Sequence, residues 1–192
     1  MGSTESEVAD VFAQAVASLR GTPVRPEVTL TEIPAPRRIA PQSFALSAEA
    51  RRDGAEVAAG RLVLLYDPAG QTGWEGQLRL VTFVNAELDA EMAGDPLLGA
   101  VGWSWLLDAL DAQHARYTAV GGTVTQTIST RFGDLATSAD TGETGDRDTA
   151  EVELRASWTA LDADLSGHLR AWCELLCSTG GLPPEGVSLL DG

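Results

Sequence analysis

"SFALSAEARRDGAEVAAGRLVLLY", Ser43 to Tyr66, decides the fold class. Phe44, Leu46, Ala48 and Ala50 alternate with Ser43, Ser47, Glu49 and Arg51. A period of two is that of a strand with one buried face. Asp53-Gly54 supplies the positive φ angles of a tight hairpin turn. The returning strand, Ala55 to Tyr66, becomes apolar on both faces in "RLVLLY", which places it in the middle of a sheet. An antiparallel sheet is therefore the base of the molecule.

Outward from the hairpin, "DPAGQTG" is a turn, and a strand from Trp74 to Leu88 follows through Leu78, Leu80, Thr82 and Val84. Upstream, Thr4 to Arg20 reads as a helix with Val8, Val11, Phe12, Ala15, Val16 and Leu19 on one stripe. Thr4 and Glu7 have capping-box spacing, and Gly21 and Pro23 stop the helix. The linking segment, Thr22 to Gln42, holds five of the nine prolines. It is read as an arm that wraps the domain, in which Glu27 to Ile33 can form one short edge strand. A proline-rich recognition segment is the other reading, to which Arg37 and Arg38 lend weight.

Downstream, a helix from Asp95 to His114 precedes a long strand, Tyr117 to Phe132, with Val120, Val124, Ile128 and Phe132 at even spacing. Gly121-Gly122 inside it predicts a bulge or bend. Gly133 to Thr149 is polar and aperiodic, a loop. Val152, Leu154, Ala156 and Trp158 alternate as a last strand. Asp164 to Thr179 forms a last helix with Leu165, Leu169, Trp172, Cys173 and Leu176 on its stripe, ended by Gly180-Gly181. The predicted fold is α+β, in the order α-β(3-4)-α-β-β-α. Helices cover one face of a five- to six-stranded antiparallel sheet. One domain, residues 1–182, and a short tail, 183–192, account for the chain.

All 13 basic residues are arginines, against 28 acids and a net charge of −15. The absence of lysine, with Asn85 the single asparagine, fits a high-GC genome. It also removes Schiff-base, P-loop and lysine-base chemistry. Residues 80–192 hold five arginines against eighteen acids, whereas residues 20–79 are nearly balanced. So acidic a surface repels phosphates and anionic lipids, which argues against nucleic acid and membrane as partners. The acidic N-terminus has no apolar h-region, so a cytoplasmic protein is expected.

The motif search returns no catalytic, cofactor or metal assignment. Gly102-Trp103-Ser104 starts like a nucleophile elbow, but Leu106 stands where the second glycine belongs. Cys173 and Cys177 lie four apart on a helix and could ligate a metal with His168 or His114; core packing is the expected role. Glu87, Asp89, Glu91 and Asp95 lack the spacing of a calcium loop.

What remains is "DPLLGAVGWSWLLDAL", Asp95 to Leu110. A step of about 100° per residue from Leu97 puts Trp105 at about 80°, Leu98 at about 100°, Leu106 at about 180°, Leu110 at about 220° and Trp103 at about 240°. The apolar arc is about 200° wide, where a helix lying on a sheet needs about 100°. Another helix of the chain, a second copy, or a ligand must cover the rest. Leu98, Trp103, Trp105, Leu106 and Leu110 are taken as a surface for another polypeptide or for a homodimer. The rival is a small-molecule or enzyme pocket between this helix and the sheet, with Arg79, Tyr117, Glu87 and His114 as its polar groups.

"ESEVADVFAQAV", "RPEVTLTEIPAPRRIAP", "GRLVLLYDPAGQ", "DPLLGAVGWSWLLDALD" and "AWCELLCSTGGLPP" together resemble an actinobacterial family of unknown function, number three thousand in the domain-of-unknown-function series. The resemblance implies an actinobacterial source and carries no functional residues. The element order alone is similar to that of the small type III secretion chaperones, acidic dimers that hold partner polypeptides in extended form. That likeness is one of topology, which does not imply function. A strand at Glu27 to Ile33 is one more than their pattern needs.

Overall fold

The computed structural model describes residues 3–88, 90–130 and 149–185. The elements run α1 (Ser3–Gly21), β1 (Val28–Glu32), β2 (Gln42–Arg52), β3 (Ala55–Tyr66), β4 (Leu78–Leu88), α2 (Ala90–Ala93), α3 (Leu98–Ala112), β5 (Tyr117–Ser129), β6 (Thr149–Ala160) and α4 (Ser166–Thr179). The class is α+β, as expected: three long helices, one short one, and a sheet of six strands ordered β1-β2-β3-β4-β6-β5. Every pairing is antiparallel. The hairpin between β2 and β3 turns at Asp53 (φ 52) and Gly54 (φ 82), as Asp-Gly predicts. The chain then leaves β4, crosses through α3 to the far edge, and returns as β6 between β4 and β5.

The Glu27–Ile33 segment pairs as the edge strand β1, with Leu30 opposite Ala48. The residues after it form the expected arm. Ser43 Oγ donates to the Pro36 carbonyl (2.8 Å) and Gln71 Nε2 to that of Ile39 (3.2 Å). The structure departs from the sequence reading at the start of β4 and inside β5. β4 begins at Leu78, not Trp74, because Gly73 (φ 82) and Glu75 (φ 57) turn left-handed and extend the preceding turn. The bulge in β5 falls between Thr118 and Gly121, where Ala119 has φ 49, just before the glycine pair. The loop expected at Gly133–Thr149 and the end of the tail lie outside the described residues, Thr149 excepted.

The core lies between the helices and one face of the sheet. Leu46, Leu62, Leu64, Leu80, Val84, Val152, Leu154 and Trp158 are its strand side. α4 is the central helix: it packs on β2, β3 and β4 and against both α1 and α3. Leu169, Trp172, Cys173, Leu175, Leu176 and Cys177 are all buried. Trp172 Nε1 donates to Thr82 Oγ1 (2.6 Å), and that hydroxyl donates to the Arg61 carbonyl (2.9 Å). Both cysteines are core residues, and desolvation pushes each thiol up to about 12, so they are neutral. Among the described residues, no helix is long and apolar enough to cross a membrane.

Gly122 is fixed by close approach: a Cβ there would lie 2.2 Å from the Arg155 carbonyl oxygen and 2.8 Å from the Trp103 ring. Gly122→Ala is expected to cost about 1–3 kcal/mol. Gly99 in α3 has nothing within 4 Å of its Cβ direction. Gly99→Ala is expected to be neutral or to stabilise by up to about 1 kcal/mol. Urea unfolding of the two variants checks both signs.

Candidate functional site

The two tryptophans of α3 bracket its buried face. Leu98, Gly102, Leu106, Ala109 and Leu110 turn inward. Trp103 leans over Gly122 of β5, and the same strand meets Gly102 through Val124, whose side chain lies 3.5 Å from the Gly102 Cβ direction. Trp105 closes the opposite flank. Both indoles are half-buried, each covered on a different side by the chain itself. The expected surface is corrected accordingly: Leu98, Leu106 and Leu110 belong to the core and present nothing outward. The residues left open are Leu97 (64% exposed) and Val101 (42%), joined by Met92 of α2 (49%). Leu97, Val101 and Trp105 are spaced i, i+4 and i+8, one row along the helix. That spacing was present in the sequence; the wide apolar arc hid it.

Beside this row lies a cleft of about 750 Å³. Trp105 and Met92 border it, Ala58 and Ala86 form its floor, and the end of α4 at Gly180 closes it. The end of α4 is held by Arg52, whose Nη2 donates to the carbonyls of Gly180 and Gly181. The Gly180 carbonyl, at the C-cap, is one that a helix C-terminus leaves without an intrahelical partner. Three acids, Glu56, Glu87 and Glu151, also line the cleft. Glu87 stands directly opposite Glu151 in the β4–β6 register.

The four polar groups expected around a pocket here do not converge. Glu87 lines the cleft. Arg79 instead donates to the Ala119 carbonyl (2.8 Å), Thr159 Oγ1 (3.1 Å) and Ser157 Oγ (2.7 Å). The Tyr117 hydroxyl donates to Asp111 Oδ1 (3.4 Å). His114 lies at the other end of α3, in a separate polar crevice of about 520 Å³ with Arg116, Asp162, Asp164, His168 and Arg170.

That crevice holds the one buried histidine. Trp158 Nε1 donates to His168 Nδ1 (3.0 Å), which places the neutral ring's proton on Nε2. Desolvation lowers its pKa from 6.5 to about 4, against the opposing pull of Asp162 and Asp164. His168 is therefore neutral at pH 7. With Nδ1 accepting from Trp158 and Nε2 carrying the proton, it has no lone pair free for general-base work. The cations around it are engaged: Arg116 with Asp162 (3.1 Å) and Arg170 with Gln113 (2.9 Å). Among the described residues, no hydrogen bond joins either histidine to a serine, threonine or cysteine, and no cluster of three metal-ligating side chains occurs.

The histidine makes stability depend on pH. The unfolded chain takes the proton near pH 6.5 and the folded chain only near 4. His168's contribution is whole above pH 6.5 and is lost as the pH falls toward 4. A displacement of this size is worth about 3 kcal/mol. His168→Gln keeps an acceptor for the Trp158 indole and removes the titration. Unfolding free energies from urea titrations across this window should fall by about 2–3 kcal/mol more in the wild type than in the variant. Equal losses would assign the acid sensitivity to other groups.

No curated protein and no solved structure matches this chain. One family model does match, over residues 8–188, nearly the whole length. The chain, with its six-stranded sheet and half-covered α3, belongs to the family described as protein of unknown function, DUF3000.

Proposed function

We propose that this chain is a non-enzymatic, chaperone-like protein-binding module. It engages another polypeptide, or a second copy of itself, through the outer row of α3. The observation that carries this reading is the exposure of Leu97 and Val101 on the row of α3 that ends at the half-buried Trp105, with Met92 of α2 exposed as well. Exposed apolar residues gathered around an aromatic one are the usual anchors of an interface. The acidic surface supports a cytoplasmic module that stays soluble around such a patch. The lysine-free composition is in keeping with an actinobacterial source. A small-molecule pocket has less support, because Arg79, Tyr117 and His114 bond elsewhere or face away from the cleft.

Native mass spectrometry of the protein from its own host tests the reading. The wild type is expected to carry a second polypeptide or to appear as a dimer. Leu97→Glu with Val101→Glu, both at exposed positions, is expected to shift stability by less than about 1 kcal/mol and to release that partner. A wild-type protein recovered as a bare monomer would sink the proposal.

A further inference from the structure

β5 lies at the edge of the sheet, and its ladder with β6 runs without interruption from Gly121 to Ser129. Every residue of that stretch except Val124 is exposed. Leu161 N–H donates to the Arg116 carbonyl (3.0 Å), so the odd-numbered residues of β6 turn their backbone groups toward β5. Their register partners Thr123, Thr125 and Thr127 turn theirs toward β6. Val124, Gln126 and Ile128 alternate with these and point their N–H and C=O groups away from the sheet. Among the described residues, nothing pairs with those outward groups.

Sheet borders are normally guarded by charge, proline or a bulge. β1, at the opposite edge, is five residues long, and its Glu32 pairs with Arg20 (2.6 Å). β5 carries no charged residue and no proline, whereas each of the other five strands carries at least one charge. Its bulge falls before Gly121 and leaves the stretch after it regular. Thr123, Val124, Thr125, Thr127 and Ile128 are β-branched, which suits them to pairing on a pleated surface.

A row of alternating donors and acceptors is answered by an extended backbone. The two faces of β5 then select the side chains of the added strand. Val124 and Ile128 stand opposite the buried Leu154 and Ala150, on the helix side, where Ile128 is 48% exposed. Apolar residues fit beside them. Thr125 and Thr127 stand opposite Glu153 and Glu151 on the open face. Threonine is short, so a long basic side chain on the added strand reaches across it toward these carboxylates. The net charge of −15 draws a basic segment in and repels a second copy.

We propose that β5 takes an added strand from a partner polypeptide, an extended segment in which apolar residues alternate with basic ones. The border of β5 is separate from the outer row of α3, so the assignment goes beyond the reading above.

Fluorescence anisotropy on the full chain tests it, with a labelled nonapeptide in which valine and arginine alternate. The peptide is expected to bind, and a matched peptide with glutamate in place of arginine is not. Valine, on the helix side, directs its N–H at β5, and arginine directs its N–H away. Methylating the valine amides should therefore weaken binding at least tenfold, and methylating the arginine amides should leave it unchanged. Thr125→Arg places like charge opposite the peptide and should weaken it about threefold. Thr29→Arg, at an exposed position of β1, adds the same charge at the other border and should have no effect. Equal effects of the two methylations, or of the two substitutions, overturn the assignment. So does a chain that dimerises through β5, with the dimer lost on Thr125→Arg. Leu97→Glu with Val101→Glu should bind the peptide as the wild type does, so either surface can fail without the other. A peptide lost with that pair sits on α3 and not on β5.

Discussion

Trp172 fixes the distance between the two layers of this molecule. Its indole is fully buried, and its N–H must find an acceptor inside the core. Thr82, a hydroxyl on the inner face of a central strand, supplies it and passes its own proton to the Arg61 carbonyl. An unsatisfied indole here would cost about 1–3 kcal/mol. Gly60 completes the joint: a Cβ there would lie 2.8 Å from Leu176 and 3.2 Å from the Trp172 ring. α4 is seated by these contacts, and the rest follows from its position. α3 packs against it, the acidic cleft opens at its C-terminus, and the His168 crevice opens at its N-terminus.

The charge asymmetry along the chain has a structural counterpart. In the N-terminal half several arginines pair with acids of the same chain, two of them at the surface. Arg20 pairs with Glu32 (2.6 Å), and Arg51 with Glu49 (2.8 Å). Arg25, buried, reaches Glu27 (3.2 Å), Glu174 (3.3 Å) and the Pro183 carbonyl (3.1 Å). It thereby ties the segment after α1 to α4 and to the residues beyond it. Burial pushes the Glu174 carboxyl above the usual range even beside Arg25. The later part of the chain has acids to spare, and Glu87 and Glu151 at the cleft are among them.

The strands and the last helix were legible because their periods are local. The Ser43–Tyr66 hairpin, the alternation of Val152–Trp158 and the stripe of α4 each state their own buried face. α3 was not legible in the same way. Its apolar arc is wide enough to be turned inward about Leu106 or about Trp105, and only α4 and the close approach at Gly122 decide between them. The cleft was invisible for a related reason. Ala58, Ala86, Trp105 and Gly180 come from four elements far apart in sequence, and the opening exists because two of the four are alanines. The false start of β4 at Trp74 has no signal in composition, since Glu75 adopts a left-handed turn that its residue type does not announce.

The sheet has two unequal borders. β1 is five residues long and is followed by proline, which cannot extend a ladder. β5 is thirteen residues long, most of them exposed beyond Gly121, and no described strand lies beyond it. A long free border of backbone amides and carbonyls is a template on which another strand can grow. Lysine, the common guard of such borders, is absent from the chain, so mutual repulsion between highly negative molecules takes over that task. The guard vanishes near the isoelectric point, about 4.3. In the same acid range the neutral His168 is forced to accept a proton. Acid therefore loosens the core and removes the repulsion at the border together.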